Sequence, residues 1–201
     1  MSLNLRRRFL TFSVVAAALI LGACSPAGPK FNAIDITGAD YAKGFALADH
    51  NGQIRNLSDF KGKVVVLFFG YTQCPDVCPT SMTELAEVKR LLGPSADKLQ
   101  GAFVTVDPER DTPELLKAYM GNFDPTFLAF VPTPEQLKAI TKDYKIYYKK
   151  VDGPTPTSYT MDHSAGSYVY DTQGNLRLYS RYGMPTASLA QDIQTLLKTT
   201  P

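Results

Sequence analysis

The sequence predicts an α/β fold whose central, mostly parallel sheet carries helices on both faces. Three observations predict this class. Apolar strand-like runs alternate with helix-like segments three times between Lys63 and Tyr144, as in sheets built from crossover units. The first run, Lys63–Phe69, is continuously apolar after its lysine and contains three valines, which is typical of a strand buried on both faces. Short strand pairs flank the alternating part, so we expect an extra N-terminal hairpin and a C-terminal one.

Turn residues and apolar runs define the strands. Residues 49–52 (Asp-His-Asn-Gly) and 171–175 (Asp-Thr-Gln-Gly-Asn) are rich in turn formers, and each separates two short runs of strand-forming residues. The predicted strands lie at 45–47, 54–57, 63–69, 102–106, 127–131, 166–170 and 176–179.

Capping residues and prolines mark the helix starts. Pro79 suits the first turn of a helix, and Ser81 with Glu84 has the spacing of a capping box. Thr112 and Thr133 each precede a proline and predict N-caps. The predicted helices cover 79–92, a segment from 112 onward, 133 to about 144, and 186–197.

The composition is that of a single globular domain with additional segments. The chain has 201 residues, of which 44% are hydrophobic and 20% are charged. Three of its 21 basic residues lie within 1–23, so the remainder carries 18 basic against 19 acidic residues, a net charge of −1. This balance excludes the basic footprint of a nucleic-acid-binding protein. Lys145, Lys149 and Lys150 form a small basic cluster, which is either a solvated face or a docking patch for an acidic partner.

The N-terminus predicts export. Arg6, Arg7 and Arg8 precede a short apolar stretch over 9–21, which is shorter than the roughly 20 residues that span a bilayer. We therefore interpret residues 1–23 as a signal peptide, with an uncleaved anchor helix as the alternative. Both the general secretory route and the twin-arginine route accept such a segment.

Residues 21–24 (Leu-Gly-Ala-Cys) resemble the bacterial lipobox. In such signals the cysteine, here Cys24, is diacylated and becomes the first mature residue, and the acyl chains hold the protein on a membrane. The protein is then expected to face the periplasm or the cell exterior. Residues 24–44 contain several prolines and glycines and predict a lipid-anchored tether, and the folded domain is expected over 45–198.

Cys74 and Cys78 follow the first apolar strand and lie just before the first predicted helix. With Cys24 lipidated, they form the one remaining pair in an oxidising compartment. Side chains four residues apart on a helix have Cβ atoms about 5–6 Å apart, so the two sulfurs can share a metal ion or form a disulfide with little motion. The helix N-terminus is expected to favour thiolate. The pair is therefore a metal site, a redox pair or an inert disulfide.

His163 lies in a predicted loop ahead of the strand at 166–170. Neutral imidazole is a good ligand for copper or zinc, and Asp162 or Ser164 could orient the ring. Two thiolates and an imidazole select Cu(I), Cu(II) or zinc. Structural zinc sites normally use four protein ligands, and an incomplete set of three suits an ion that is passed on. The alternative is an ordinary surface histidine.

Asp107 follows the second strand of the alternating part, as the cysteine loop follows the first. Because parallel strands end at one rim of a sheet, we expect Asp107 to face the cysteines and to hydrogen-bond near the site or to shape a partner surface; a simple turn role is the alternative. Asp111 and Thr112 are expected to serve the turn and the helix cap. We expect structural roles for His50 and Met184.

Together these motifs resemble those of the SCO/SenC family of copper-binding, thioredoxin-like proteins. The resemblance covers about 45–198 and follows the family's order of motifs. Its main carriers are residues 71–79 (Tyr-Thr-Gln-Cys-Pro-Asp-Val-Cys-Pro), 106–113 (Val-Asp-Pro-Glu-Arg-Asp-Thr-Pro) and 162–164 (Asp-His-Ser). The lipobox-like Cys24 is a departure from those members that keep a transmembrane helix. This difference concerns only the mode of anchoring.

The resemblance implies a thioredoxin-like fold and one copper ion bound by Cys74, Cys78 and His163. It implies a copper chaperone for the binuclear copper centre of cytochrome c oxidase, and as partners the copper-site subunit of that oxidase, a periplasmic thioredoxin-like reductant and other copper chaperones. The alternative is a membrane-tethered thiol–disulfide oxidoreductase that reduces partner cysteines, and whether the protein is an enzyme depends on that choice. Peroxidase chemistry is disfavoured, because no arginine lies beside the pair in sequence.

Overall fold

The structure is a computed structural model that describes residues 28–155 and 158–200. The predicted signal peptide (1–23), the lipobox and Cys24 lie outside the described residues, so these interpretations stay predictions. No helix in the described ranges is both long and apolar enough to cross a membrane.

The described residues form ten strands, four α-helices and two short 3₁₀ helices. The strands are β1 (Ile34–Asp35), β2 (Ala46–Ala48), β3 (Ile54–Asn56), β4 (Val64–Gly70), β5 (Leu99–Thr105), β6 (Leu128–Phe130), β7 (Tyr148–Asp152), β8 (Tyr159–His163), β9 (Ser167–Tyr170) and β10 (Leu176–Ser180). The helices are α1 (Val77–Leu91), α2 (Pro113–Gly121), α3 (Pro134–Asp143) and α4 (Thr186–Thr199), and the 3₁₀ helices span Leu57–Phe60 and Gly93–Lys98.

Six strands form the central sheet in the order β1-β10-β9-β4-β5-β6. Strand β5 runs parallel to β4 and to β6, whereas β9 is antiparallel to β4 and β10 is antiparallel to β9 and β1. Every residue of β4 and β5 is buried, so both faces of the sheet are covered there. Helix α4 packs against α1 and β4. The predicted α/β class is confirmed, with the parallel pairing confined to β4, β5 and β6.

Several predicted local signals are confirmed. Strands β2 and β3 pair as the predicted N-terminal hairpin, and β9 and β10 pair as the C-terminal one. The Thr112 hydroxyl accepts a hydrogen bond from the Leu115 backbone N–H at 3.2 Å. Thr133 and Gln136 form a reciprocal capping box at the start of α3. Each N-cap side chain accepts from one backbone N–H of the first turn that would otherwise lack a partner.

Helix α1 begins earlier than predicted. Asp76 occupies the N-cap position, and the Thr80 N–H donates to the Asp76 carbonyl at 3.2 Å. Ser81 therefore lies inside the helix, and the predicted capping box of Ser81 and Glu84 is wrong. Pro79 still fits the first turn, where its missing N–H has no intrahelical partner to lose. The earlier start places Cys78 within the first turn of the helix.

The hairpin of β7 and β8 was not predicted. These strands pair antiparallel with each other, with Tyr148 opposite His163, so His163 ends a strand instead of lying in a loop. All but one residue of the pair is at least partly exposed. Such strands lack the apolar alternation by which a strand is recognised in a sequence.

The domain begins earlier than residue 45. The compact unit starts at Phe31, and β1 pairs with β10 at the edge of the sheet. The predicted tether over 24–44 is therefore too long at its C-terminal end. A strand of two exposed residues, Ile34 and Asp35, has no periodicity to detect. Because β1 is antiparallel to β10, it begins at the rim where β4 and β10 end.

Candidate metal centre

The two cysteines lie on the segment that joins β4 to α1. Cys74 is in the connecting loop, and its N–H donates to the Tyr71 carbonyl at 3.3 Å. Cys78 is in the first turn of α1 and is fully buried, whereas Cys74 is partly exposed. The Cys78 N–H points at the Cys74 sulfur at 3.5 Å. The loop-to-helix junction thus turns both thiols toward one place.

His163 reaches the same place from the end of β8. Its Nε2 lies 3.3 Å from the Cys78 sulfur. Its Nδ1 lies 2.9 Å from the Ser164 carbonyl oxygen, to which an N–H at this position donates. Nε2 then carries the lone pair and faces the sulfur. The rings of Phe68 and Tyr71 form T-shaped contacts with the imidazole at centroid distances of 6.0 and 5.9 Å. These contacts fix the plane of the imidazole ring.

The three donor atoms fit one small soft ion. The sulfurs of Cys74 and Cys78 and a ring nitrogen of His163 all lie within 4.8 Å of one another. Two sulfurs bound to one ion at about 2.3 Å are at most about 4.6 Å apart, so shifts of a few tenths of an ångström suffice for ligation. In the described ranges no aspartate or glutamate joins this cluster. Two thiolates and an imidazole are ligands for copper or zinc, and the three-donor set leaves the shell open.

Burial governs the acid–base behaviour of the site. Burial raises the pKa of the Cys78 thiol well above its ordinary value. This direction is opposite to the expectation that the helix N-terminus favours thiolate, because the loss of hydration outweighs the backbone hydrogen bond from Tyr71 that lowers the pKa of Cys78. Burial lowers the pKa of His163, which keeps the imidazole neutral and available as a ligand at pH 7.

Asp107 stands at the rim as predicted, but its bonds lead to other residues than the cysteines. The carboxylate is almost fully buried; it accepts from Arg110 Nε at 2.5 Å and from the Tyr159 hydroxyl at 2.8 Å. Tyr159 opens the strand that ends at His163. Asp107 is therefore connected to the hairpin of β7 and β8, which carries His163 and is called the histidine hairpin below. The functional role of Asp107 stays a prediction.

Asp111 is a site residue that the sequence reasoning missed. It was expected to serve the turn before α2. Its fully buried carboxylate instead accepts from the Thr72 N–H at 3.1 Å, the Thr72 hydroxyl at 2.5 Å and the Thr105 hydroxyl at 2.6 Å. Thr72 lies two residues before Cys74, so Asp111 ties the cysteine loop to the end of β5. No local pattern indicates a bond between residues 39 positions apart.

Arg110 and Tyr159 were also missed. The guanidinium carbon of Arg110 lies 3.4 Å from the centroid of the Tyr159 ring. Arg110 lies in the motif at 106–113, but no local pattern indicates that Tyr159 is its partner.

The remaining candidates have other surroundings. His50 Nδ1 accepts from the Ala129 N–H at 3.1 Å, which is a structural role. The Ser180 hydroxyl donates to the Met184 sulfur at 3.3 Å, and Met184 packs against the core. In the basic cluster, Lys150 contacts Glu109 at 3.4 Å and lies over the Tyr159 ring.

The fold and the site together define a thioredoxin-like domain with a two-sulfur, one-nitrogen cluster at the rim of its sheet. The SCO1/SenC family model matches residues 35–198 of the chain. The chain therefore belongs to the SCO1/SenC family, as its motifs indicate.

Relatives and solved structures agree with this assignment. A SCO2-like protein of Rickettsia felis is 34% identical over 168 residues, 82% of each chain. The mitochondrial SCO2 homolog of Bos taurus is 37% identical over 132 residues, which are 65% of this chain and 50% of that protein. Bradyrhizobium japonicum ScoI, solved with copper bound, superposes with a TM-score of 0.69 at 40% identity, covering 75% of this chain and 96% of that one. Yeast Sco1, also solved with copper bound, gives a TM-score of 0.71 at 28% identity, covering 79% and 88%.

Proposed function

We propose that the protein is a copper chaperone that binds one copper ion through Cys74, Cys78 and His163. The observation that carries the proposal is the convergence of the three donor atoms within 4.8 Å. The Bradyrhizobium and yeast relatives were solved with copper bound, which supports copper over zinc as the ion. The open shell suits an ion that is received and then released. Membership of the SCO1/SenC family supports the binuclear copper centre of cytochrome c oxidase as the destination.

Copper titration of the full chain tests this proposal. The protein is reduced, freed of metal and titrated anaerobically with Cu(I) in detergent against a chromophoric competitor. We expect saturation at one ion, and a lower affinity in His163→Ala because one donor is lost. His50→Ala is the matched control, since the other histidine bonds only to the backbone of Ala129 in the described structure. Unchanged affinity in His163→Ala would remove the imidazole from the site and refute this form of the proposal.

X-ray absorption at the copper edge gives an independent reading of the ligand set. The loaded wild-type chain is expected to show two sulfur neighbours and one nitrogen neighbour. In His163→Ala the nitrogen contribution from this side chain should disappear while both sulfurs remain. A wild-type spectrum with sulfur neighbours alone would count against a role for His163.

Thiol–disulfide exchange is the second candidate function. It is favoured by the unequal exposure of the pair, because Cys74 is partly exposed and Cys78 is buried. The Cys74 thiolate would attack a partner disulfide and form a mixed disulfide. The Cys78 thiolate would then displace the partner as a dithiol, leaving Cys74 and Cys78 oxidised.

Complementation in cells separates the two functions. A chaperone requires His163 together with both cysteines for assembly of the oxidase copper centre. An oxidoreductase requires the cysteines alone, and Cys78→Ser should trap a mixed disulfide with its partner. Full complementation by His163→Ala, combined with failure of both cysteine variants, would establish the oxidoreductase.

Copper loading requires reduced cysteines, because a disulfide offers no thiolates to the ion. In an oxidising compartment the protein therefore depends on a reductant, which we propose to be a periplasmic thioredoxin-like protein. A metal-free pair that stayed reduced through purification in air would argue against this dependence.

We further propose that the protein is exported and lipidated at Cys24 and that it faces the periplasm or the cell exterior. The supports are the signal-like segment 1–23 and the lipobox-like residues 21–24. Mass spectrometry of the mature N-terminus tests this assignment. We expect a diacylated Cys24 in the wild type and an unprocessed chain in Cys24→Ser.

A further inference from the structure

Three segments of the site meet at the side chain of Arg110. Its Nε donates to Asp107, which lies on the same turn. Its Nη1 donates to the Gln73 side-chain oxygen at 3.1 Å and to the Tyr159 carbonyl at 2.9 Å. Gln73 directly precedes Cys74, and Tyr159 begins the strand that ends at His163. One guanidinium nitrogen therefore joins the cysteine loop to the histidine hairpin.

The histidine hairpin depends on such side-chain contacts for its position. In the described ranges β7 and β8 pair only with each other and form a sheet of their own. Residues at alternate positions on a strand share one face, so Tyr159 lies on the same face of β8 as His163. A contact that fixes Tyr159 at one end of this short strand also limits the movement of the imidazole at the other.

Arg110 holds Tyr159 in three ways. Besides the bond from Nη1 to the carbonyl, the guanidinium stacks on the phenol ring at 3.4 Å. Asp107 accepts from both the arginine and the Tyr159 hydroxyl, which closes a triangle of side chains. The guanidinium also lies 5.7 Å from the Tyr71 ring, whose edge or face meets the imidazole of His163.

The arginine occupies this position at a cost in stability. Its side chain is only 15% exposed, and in the described part of the chain its Nη2 is buried without a hydrogen-bond partner. A buried donor without a partner destabilises a fold, because the group loses its hydrogen bonds to water and gains none in return. An arginine placed for stability alone would be expected to have both terminal nitrogens satisfied.

We propose that Arg110 is a positioning residue, which holds the hairpin of β7 and β8 against the cysteine loop so that His163 meets the two thiols in a preformed ligand set. This inference rests on the proposed function, since it concerns copper binding at Cys74, Cys78 and His163. Arg110 touches no donor atom and acts through Gln73 and Tyr159. Its planar group can donate in several fixed directions and stack on a ring at once, which a lysine ammonium cannot do.

The test is a double-mutant cycle of Arg110→Met with His163→Ala in the full chain, read by Cu(I) affinity. Mutation of a residue that orients metal ligands typically lowers affinity about 10- to 100-fold, and we expect a loss in this range for Arg110→Met alone. Because the arginine acts through the histidine, the same change should cost little once His163 is alanine. Equal losses with and without His163 would overturn the proposal.

Arg177→Met is the matched control. Arg177 is 17% exposed, binds the buried Asp171 at 3.2 Å and lies near the Phe31 ring. It therefore resembles Arg110 in burial, ion pairing and aromatic contact, but it belongs to β10, which β9 separates from β4. Its replacement should lower stability while copper affinity stays at the wild-type value. An equal loss of affinity in both arginine variants would show a general effect of destabilisation and contradict the proposal.

Two further variants keep the test decisive if Arg110→Met does not fold. Gln73→Ala removes only the link to the cysteine loop from an exposed position, and it should lower affinity in a His163-dependent manner. Arg110→Lys keeps the charge but should restore only part of the affinity. Wild-type affinity in Gln73→Ala and full rescue by Arg110→Lys would each overturn the positioning role.

Failure of this inference can be told from failure of the proposed function. If His163→Ala alone binds copper as the wild type does, the three-ligand site itself is refuted. If His163→Ala weakens binding and Arg110→Met does not, the site stands and the positioning role is refuted. A copper-edge spectrum of Arg110→Met that keeps the full nitrogen contribution of the wild type would likewise refute the positioning role.

Discussion

Gly70 shows how closely the site is packed at the level of single residues. A Cβ at this position would lie 2.7 Å from the Cys78 sulfur, 2.8 Å from Phe68 and 3.0 Å from Phe103. Non-bonded carbon atoms prefer separations of about 3.5–4.0 Å. The last residue of β4 must therefore lack a side chain for the thiol to occupy its place. The sulfur is held by the strand behind it as well as by its own helix.

Gly70→Ala should displace the Cys78 sulfur. We expect a loss of about 1–3 kcal/mol in the free energy of unfolding, which is usual for overpacking of a core, together with weaker copper binding. Urea denaturation and copper titration measure the two effects. Gly121→Ala is the control: a Cβ there meets nothing within 4 Å, so stability should stay or rise slightly. Wild-type copper affinity in Gly70→Ala would contradict the packing argument.

Copper affinity should rise with pH. Burial raises the pKa of the Cys78 thiol, so this thiol is protonated at neutral pH and must release its proton when the ion binds. Burial lowers the pKa of His163, so the imidazole is already neutral and adds no proton near pH 7. Between about pH 6 and about pH 8 the affinity should rise roughly tenfold per unit for each proton released. Titrations at several pH values measure this slope, and a flat profile would show that the thiol is already ionised.

At the level of elements, the turn after β5 organises the loop after β4. Asp111 binds Thr72 in the cysteine loop and Thr105 at the end of β5. Arg110, its neighbour, binds Gln73 and the hairpin. Adjacent parallel strands bring their following loops to one rim, and consecutive side chains of one turn can therefore hold both ligand-bearing segments.

Asp111→Ala should release the cysteine loop. The hydroxyls of Thr72 and Thr105 would lose their acceptor, at a cost of about 1–3 kcal/mol for each group left without a partner. The partly exposed thiol of Cys74 should then react faster with an alkylating reagent, which mass spectrometry follows over time.

Asp124→Ala is the control for this loop effect. Asp124 likewise accepts a hydrogen bond from a threonine, Thr126, and it also forms an ion pair with Lys89. It belongs, however, to the segment before β6. It should lower stability without changing the alkylation rate of Cys74. An unchanged Cys74 rate in Asp111→Ala would mean that the loop is held by other contacts.

At the scale of the whole molecule, Asp192 attaches the first residues of the domain, Asn32 and Ala33, to α4. This carboxylate of α4 is almost fully buried; it accepts from the backbone N–H of Asn32 at 2.9 Å and from that of Ala33 at 2.8 Å. The strand β1 follows at once and joins the sheet edge. The chain thus enters the domain at a fixed point, on the rim that also carries the cysteine loop.

Asp192→Ala should detach β1 from the edge of the sheet. Two backbone donors would lose their acceptor, and we expect about 2–3 kcal/mol less stability and faster amide hydrogen exchange over residues 32–36. Copper affinity should not change, because two strands, β10 and β9, separate β1 from β4 in the sheet order. Asn32→Ala, which removes only side-chain bonds, is the milder control. Unaltered exchange in Asp192→Ala would show that strand pairing alone holds the segment.

Residue types and local patterns are enough to predict the chemistry of the site and the order of the main elements. Continuous apolar runs identify β4 and β5, and threonine–proline pairs identify the starts of α2 and α3, because these signals depend on neighbouring residues only. The residue types at Cys74, Cys78 and His163 likewise indicate which metal ions these side chains can bind, without reference to distance.

How these residues act together depends on the packing of the folded chain. Cys78 and His163 are 85 positions apart, and their contact at 3.3 Å depends on a polar hairpin that has no periodic signal. Burial of Cys78 reverses the expected direction of its pKa, and the bonds of Arg110 and Asp111 join loops that follow different strands. Such effects arise from packing between distant segments, and local patterns in a sequence do not record which segments meet or how much water their contact excludes.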